Sequence, residues 1–214
     1  MRGLFAKDLA LISQRKQTLL IFIVIALFMG YTMDATFVVT YISILAGIMS
    51  ISTLSYDNLD NGYPFLFTLP VTRKDYVKEK YLFCLSIATA GWFAASILFF
   101  IINTVKGIAI DPSEDIMGLL LVLPMVWIIT SFSLGFQIRF GAEKSRYMMM
   151  AVIGAVFAIG YAVLKVFDVP DEVLDAFFEK LMTVSPTLIV YTISLIICIA
   201  CFLWSLRTME KKEF

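Results

Sequence analysis

Few side chains in this sequence could do chemistry, and none stands in a catalytic arrangement. The chain has no histidine, which excludes histidine-based zinc sites and nucleophile–histidine pairs. Cys198 and Cys201 form a C-x-x-C without a second pair, and we interpret them as apolar packing residues. The run GAEKS at 141–145 lacks the spacing of a phosphate-binding loop. We therefore predict no catalytic, metal-binding or cofactor-binding residue and no enzyme activity of the chain by itself.

The composition is that of a membrane protein. Hydrophobic residues make up 60% of the 214 residues and charged residues only 16%, with a net charge of zero. Neutrality gives no reason to expect nucleic acid as a partner. Because one crossing of the hydrocarbon core takes about 20 apolar residues, several crossings leave no room for a sizeable soluble domain. We predict an all-α fold in which the whole chain, 1–214, is one transmembrane domain.

Six apolar stretches are long enough to cross a bilayer. We place them at 18–33, 35–56, 81–103, 116–136, 147–166 and 186–206. Little more than Asp34 separates the first two, which predicts a tight hairpin. Small residues at a spacing of four, Gly91 with Ala95 and Gly154 with Ala158, favour close helix packing.

The distribution of Lys and Arg predicts the orientation, because cytoplasmic loops retain an excess of them. Only Lys106, Lys165 and Lys180, three of the 17 basic residues, fall on one side of these spans. The other side has Arg2, Lys7, Arg15, Lys16, Arg73, Lys74, Lys78, Lys80, Arg139, Lys144, Arg146, Arg207, Lys211 and Lys212. We therefore expect both termini and the connections 57–80 and 139–146 in the cytoplasm.

Two further segments have amphipathic patterns. In 1–14, Phe5, Leu9 and Ile12 share a helical stripe, with Lys7 and Asp8 available to the opposite side. This favours an interfacial elbow helix over the alternative, in which the segment extends the first span into the cytoplasm. Residues 168–181 also have one apolar face, which predicts an external helix on the outer leaflet.

Polar side chains cluster toward the cytoplasmic ends of the second and fourth spans. They could line a pathway, but Ser and Thr in helices also bond to their own backbone. The candidates are Ser52, Thr53, Tyr56, Thr130, Ser133 and Gln137. No carboxylate, Lys or Arg lies deep in a predicted span, which disfavours transport driven by an ion gradient.

The connection 57–80 contains a short apolar element between turn signals. Asn61 and Gly62 favour a turn, and Phe65, Leu66 and Leu69 follow as apolar residues that are costly to leave in water. Pro70 ends this element, and the run TRKD at 72–75 reads as a helix cap. The apolar element could insert into a cleft on a cytoplasmic partner, or fold back onto the bilayer surface.

The run FLFTLPVTRKDYVKEKYL at 65–82 resembles a signature of small bacterial ABC-2 exporter permeases, where it joins the second and third spans. The resemblance extends over the whole chain and includes the Lys7-Asp8 pair. The chain is similar to permeases of Gram-positive exporters that move amphipathic peptides such as phenol-soluble modulins. It is also similar to permeases of systems that confer immunity to peptide antibiotics. The resemblance implies a permease of the bacterial cytoplasmic membrane, paired with a second copy or a paralogue.

The resemblance also implies that the permease binds a separate ABC-type ATPase, which holds ATP and Mg. The binding element would be a coupling helix between the second and third spans. By position, the residues that would form or support it are Asn61, Gly62, Pro64, Phe65, Leu66, Leu69, Pro70, Thr72, Arg73 and Lys74.

Three functions are consistent with these patterns. The first is an ATP-driven exporter of amphipathic peptides or lipid-like molecules. The second is a membrane scaffold, sensor or immunity protein that binds a cytoplasmic partner without transporting anything. The third, an intramembrane enzyme, is disfavoured by the absence of a catalytic arrangement.

Overall fold

Helices are the only regular secondary structure in the described part of the chain. The computed structural model describes residues 2–32, 34–58, 62–66, 68, 70–111, 113–166 and 186–212. Within these ranges there are eight helices and no strand. They are α1 (Arg2–Ser13), α2 (Lys16–Thr32), α3 (Ala35–Asn58), α4 (Gly62–Leu66), α5 (Arg73–Lys106), α6 (Glu114–Phe140), α7 (Ala142–Val166) and α8 (Pro186–Lys211). The predicted external helix at 168–181 lies outside the described residues.

Five of these helices, α3 and α5 to α8, are long and apolar enough to cross a membrane. The number rises to six if α1 and α2, which are bent by 63° at a short break, count as one span. With 17 residues, α2 is about 25 Å long. The all-helical membrane fold is therefore confirmed, whereas the position of α1 relative to the bilayer stays a prediction.

At one end of the bundle α3, α6 and α8 end, and α5 and α7 begin. We call it the basic end, because most of the Lys and Arg residues lie on this side of the spans. A core of buried side chains from α1, α3, α4, α5, α6 and α8 lies at this end. A second core, toward the opposite end, joins α2, α3, α5 and α6.

The buried face of α1 differs from the predicted one. Leu4 and Asp8 are buried, whereas Leu9 is 48% exposed. The ring of Phe5 packs edge-on against Phe83 of α5, with 5.0 Å between centroids. The prediction that Asp8 faces away from the apolar stripe was therefore wrong, because a cation on α5 binds its carboxylate.

Small residues set the close approach of α3 to its neighbours. A Cβ at Gly91 would lie 2.5 Å from the Cβ of Ala46, and one at Gly30 would lie 2.3 Å from Cγ2 of Val38. The tight α2–α3 connection at Asp34 is confirmed, since α2 ends at Thr32 and α3 begins at Ala35. The spacing therefore predicted the packing correctly at Gly91.

By contrast, α7 makes few contacts with the rest of the chain. Gly154 has no atom within 4 Å of its would-be Cβ, and exposed residues of α7 include Phe157 at 74%. Only 6% of its candidate span is buried. Gly154 and Ala158 therefore do not pack against another described helix of this chain, and the predicted packing there was wrong within one copy.

Candidate functional site

The candidate site at the basic end begins with α4, which is tied to α3. A Cβ at Gly62 would lie 2.7 Å from the backbone oxygen of Asp57. Only glycine therefore allows α4 to begin so close to the end of α3. Tyr63 and Leu66 are buried, and the ring of Tyr63 packs edge-on against Tyr76 of α5 at 5.8 Å. Buried aromatic and aliphatic contacts thus join α4 to both α3 and α5.

The segment after α4 forms the start of α5 as predicted. Thr72 is the N-cap, with φ −81° and ψ 154°, and its hydroxyl oxygen accepts a hydrogen bond from the backbone N–H of Asp75. This N–H is one of the donors that a helix start leaves unsatisfied. The cap read from TRKD is therefore confirmed, and it fixes the direction in which α5 leaves the loop.

Two basic residues of the same segment contact the end of α8. Arg73 donates from a guanidinium N–H to the backbone oxygen of Glu210, at 2.9 Å. Lys74 Nζ lies 2.9 Å from a carboxylate oxygen of Glu210, with both side chains largely exposed. An exposed pair of this kind contributes less than about 1 kcal/mol. These contacts therefore position the loop beside α8 and add little to stability.

The structure describes only some of the remaining predicted coupling residues. Pro70 is exposed and Leu66 is buried. Leu66 is therefore a support of the element and not part of an exposed surface. Asn61 and Leu69 lie outside the described residues, as do the side chains of Pro64 and Phe65. Their role in binding a partner stays a prediction.

Beneath α4 lies a buried ion-pair network that the sequence analysis did not predict. Lys80 of α5 is fully buried, and its Nζ contacts Asp8 of α1 and lies 2.8 Å from Oδ2 of Asp57 on α3. Lys7 of α1 also pairs with Asp57, and the hydroxyl of Tyr76 donates to Asp57 Oδ2 at 2.9 Å. One network therefore connects α1, α3 and α5 where they meet the loop.

A third buried carboxylate lies beside the network and makes no ion pair with it. Glu79, the residue before Lys80, is buried, and neither of its carboxylate oxygens has a hydrogen-bond partner in the described structure. Together with Asp8 and Asp57 it makes three carboxylates against the two ammonium groups of Lys7 and Lys80. Because an unpaired buried charge is costly, Glu79 is the least favourable member of this cluster.

Three of the six predicted pathway residues lie together. Ser52, Thr53 and Tyr56 line a narrow cleft between α1 and α3 that has no room for a water molecule. The Thr53 hydroxyl donates to the Ser50 carbonyl oxygen of its own helix at 2.8 Å and lies 3.3 Å from Asp8 Oδ2. The Tyr56 ring lies 5.3 Å from the guanidinium carbon of Arg15. The cleft therefore borders the ion-pair network, and its walls are polar at the basic end.

The other three pathway candidates do not line this cleft. The hydroxyl of Thr130 donates to the Val126 oxygen of its own helix at 2.7 Å. Gln137 donates from its amide to the hydroxyl of Ser55 at 2.7 Å, which joins α6 to α3. Ser133 is half-buried on α6. A pathway role for these residues stays a prediction.

Sequence reasoning missed Asp8, Asp57, Glu79 and Lys80 as one cluster. Lys80 was interpreted as one of several loop cations, although it is fully buried. Asp57 directly follows the second apolar run, and Glu79 and Lys80 directly precede the third. That pattern gives a weak signal, since the same pattern is typical of hydrated residues at the membrane surface.

The described residues contain no group of three side chains that could hold a metal ion. The three cysteines are free and buried. Cys198 accepts a contact from the Ser131 hydroxyl at 3.1 Å, which is a packing arrangement between α8 and α6.

Five or six helices that are long and apolar enough to cross a bilayer, with exposed faces that are also apolar, define an integral membrane protein. The chain belongs to the ABC-2 transporter family, because the family described as "ABC-2 family transporter protein" matches residues 3–208. Its members are membrane components of ABC transporters, so the chain has the permease role in such a transporter. No match is found among curated proteins or among solved structures.

Proposed function

We propose that this chain is the membrane-spanning permease subunit of an ATP-driven exporter of amphipathic peptides or lipid-like molecules. The observation that carries the proposal is the family match over residues 3–208 in a sequence without a phosphate-binding loop of its own. ATP and Mg would therefore bind to a separate ABC-type ATPase. Hydrolysis there would drive the permease between inward-open and outward-open states.

The orientation that we propose places the basic end in the cytoplasm of a bacterial cell. Its support is the excess of Lys and Arg at that end. Both termini would then be cytoplasmic, and the loop between α3 and α5 would face the ATPase.

The coupling element that we propose consists of α4 and the segment up to Lys74. Support comes from the contacts of α4, which join it through Gly62 to α3 and through Tyr63 to α5. The buried ion pairs of Lys80 then join α5 to α1. A force on α4 would therefore reach three helices through buried contacts.

A second permease copy or a paralogue would complete the pathway. Its support is the exposure of α7, whose candidate span is only 6% buried within one copy. Helix pairs in membranes associate through small residues, and α7 exposes Gly154 and Gly160.

The first test is purification of the tagged chain from its native membrane in mild detergent. We expect an ABC-type ATPase to copurify, identified by mass spectrometry, and the purified complex to move labelled amphipathic peptide into inverted vesicles when ATP is added. Copurification without ATP-dependent flux for any peptide or lipid tested would favour the scaffold or sensor function.

The second test changes the coupling element. Phe65→Asp and Leu69→Asp are expected to leave membrane insertion intact and to abolish substrate-stimulated ATPase activity of the complex. Gln14→Asp is the control, since Gln14 is an exposed residue at the same end of the bundle and lies outside the proposed coupling element. Normal stimulated activity in the Phe65 and Leu69 variants would contradict the assignment.

A further inference from the structure

A cavity at the basic end lies between α6 and α8, away from the ion-pair network. Its volume is about 440 Å³. It is lined by Arg139, Trp204, Arg207, Thr208, Lys211 and Lys212. Four of these six side chains are cations and none is a carboxylate, so the cavity is suited to an anion.

Among the described residues, the acid next to this cavity in sequence does not neutralise its positive charge. Glu210 pairs instead with Lys74, at 2.9 Å. Arg207 and Lys211 are exposed and form no ion pair in the described part of the chain. Like charges that share a cavity repel each other, and an anion bound between them would relieve this repulsion.

Of the four cations that line the cavity, only Lys212 binds to the C-terminus of a helix. Lys212 donates to the Ile138 carbonyl oxygen near the end of α6, at 2.9 Å, as expected for a cation at a helix C-terminus. Partial burial lowers the pKa of its ammonium group. Arg139 lies over the rings of Trp204 and Phe140, at 5.3 and 5.2 Å. Arg207 and Lys211 have no comparable contact with the described residues.

An apolar stripe leads from the cavity along α8 toward the middle of the span. Leu203, Ile199 and Ile196 precede Arg207 in the sequence, at successive spacings of four, four and three residues. They therefore share its face of the helix. Their side chains are 49%, 56% and 66% exposed. Trp204 at the cavity is a residue type typical of the membrane interface. A ligand with a charged head and a long apolar chain matches both features.

We propose that this cavity binds the phosphate of an anionic phospholipid from the adjoining leaflet, with one acyl chain along the stripe on α8. Arg207 and Lys211 contact the phosphate directly. Arg139 is held in place by the two aromatic rings and supplies the third cation. A free phosphate ion would use the same cations but would gain nothing from the stripe.

The test is a binding measurement on the purified chain, without ATPase or ATP. Phosphatidylglycerol and phosphatidylcholine are titrated separately into the chain in neutral detergent at about 0.15 M salt, and bound lipid is counted by native mass spectrometry. We expect the first phosphatidylglycerol to bind more tightly than phosphatidylcholine. A cation near an anionic headgroup contributes about fivefold in affinity, so Arg207→Gln/Lys211→Gln should weaken it about 25-fold.

Lys16→Gln/Lys78→Gln is the matched control, because it removes two exposed cations that do not line the cavity. We expect its affinity to change by less than about threefold. An equal loss in both double variants would overturn the proposal in favour of diffuse charge attraction. Equal affinity for the two lipids would overturn it as well.

A third arm identifies the source of the phosphate. Inorganic phosphate is added at the concentration that half-saturates the chain with phosphatidylglycerol. We expect no displacement of lipid, because the free ion lacks the apolar contact. Displacement at that concentration would overturn the lipid assignment and indicate a site for soluble phosphate. All three arms omit transport, so their failure would leave the permease function intact.

Discussion

Removal of the Lys80 ammonium tests the ion-pair network directly. Lys80→Met keeps most of the side-chain volume but leaves the carboxylates of Asp8 and Asp57 with Lys7 as their remaining cation. Lys80 is fully buried, whereas the Lys7 side chain is 36% exposed. The substitution therefore leaves buried negative charge that water cannot fully reach.

The expected loss follows from this burial. Breaking one partner out of a buried ion pair costs about 3–5 kcal/mol, and Lys80 contacts two carboxylates. We therefore expect Lys80→Met to lower the free energy of unfolding by at least about 3 kcal/mol. The measurement is an SDS titration of the purified chain in mixed micelles, followed by circular dichroism.

Lys74→Met is the matched control, since it makes the same substitution on the same helix. Its pair with Glu210 has side chains that are 63% and 45% exposed, so we expect a loss below about 1 kcal/mol. A triple variant, Asp8→Asn/Asp57→Asn/Lys80→Met, removes the stranded charges and should recover most of the stability. Equal losses at Lys80 and Lys74 would refute the reasoning.

Three further substitutions test local features. Glu79→Gln removes an unpartnered buried carboxylate, so we expect a gain of about 1 kcal/mol; a clear loss of thermal stability would contradict this. Gly91→Ala should cost about 1–3 kcal/mol through its contact with Ala46, and Gly91→Ala/Ala46→Gly should restore the melting temperature. Thr72→Val removes the cap on the Asp75 N–H and should cost about 1 kcal/mol, whereas Thr72→Ser should not; equal melting temperatures would exclude the cap.

The features that sequence predicted well are local. Apolar runs predicted the spanning helices, because length and hydropathy alone decide whether a helix can cross lipid. The cap at Thr72 was predicted because its partner, Asp75, lies three residues away. The connection at Asp34 was predicted for the same reason, since few residues separate the two apolar runs.

The ion-pair network was not predictable in the same way. Asp8 and Lys80 lie 72 residues apart. Lys80 directly precedes the third apolar run and Asp8 lies in an amphipathic segment, and charges at such positions are usually hydrated. The stripe of Phe5, Leu9 and Ile12 placed Asp8 on the polar side of α1, whereas its carboxylate is buried by the contact with α5. Only the tertiary arrangement shows that these charges satisfy each other.

The length of α5 has a consequence for how the two sides of the membrane communicate. Its 34 residues, between the cap at Thr72 and the left-handed Gly107, extend about 51 Å, whereas the hydrocarbon core is about 30 Å thick. One unbroken rod therefore projects beyond the lipid. A tilt of about 5° around its midpoint moves its two tips about 2 Å in opposite directions. A displacement of α5 at the loop before Arg73 would therefore also move its other end, at the opposite membrane surface, because no break in the helix separates the two ends.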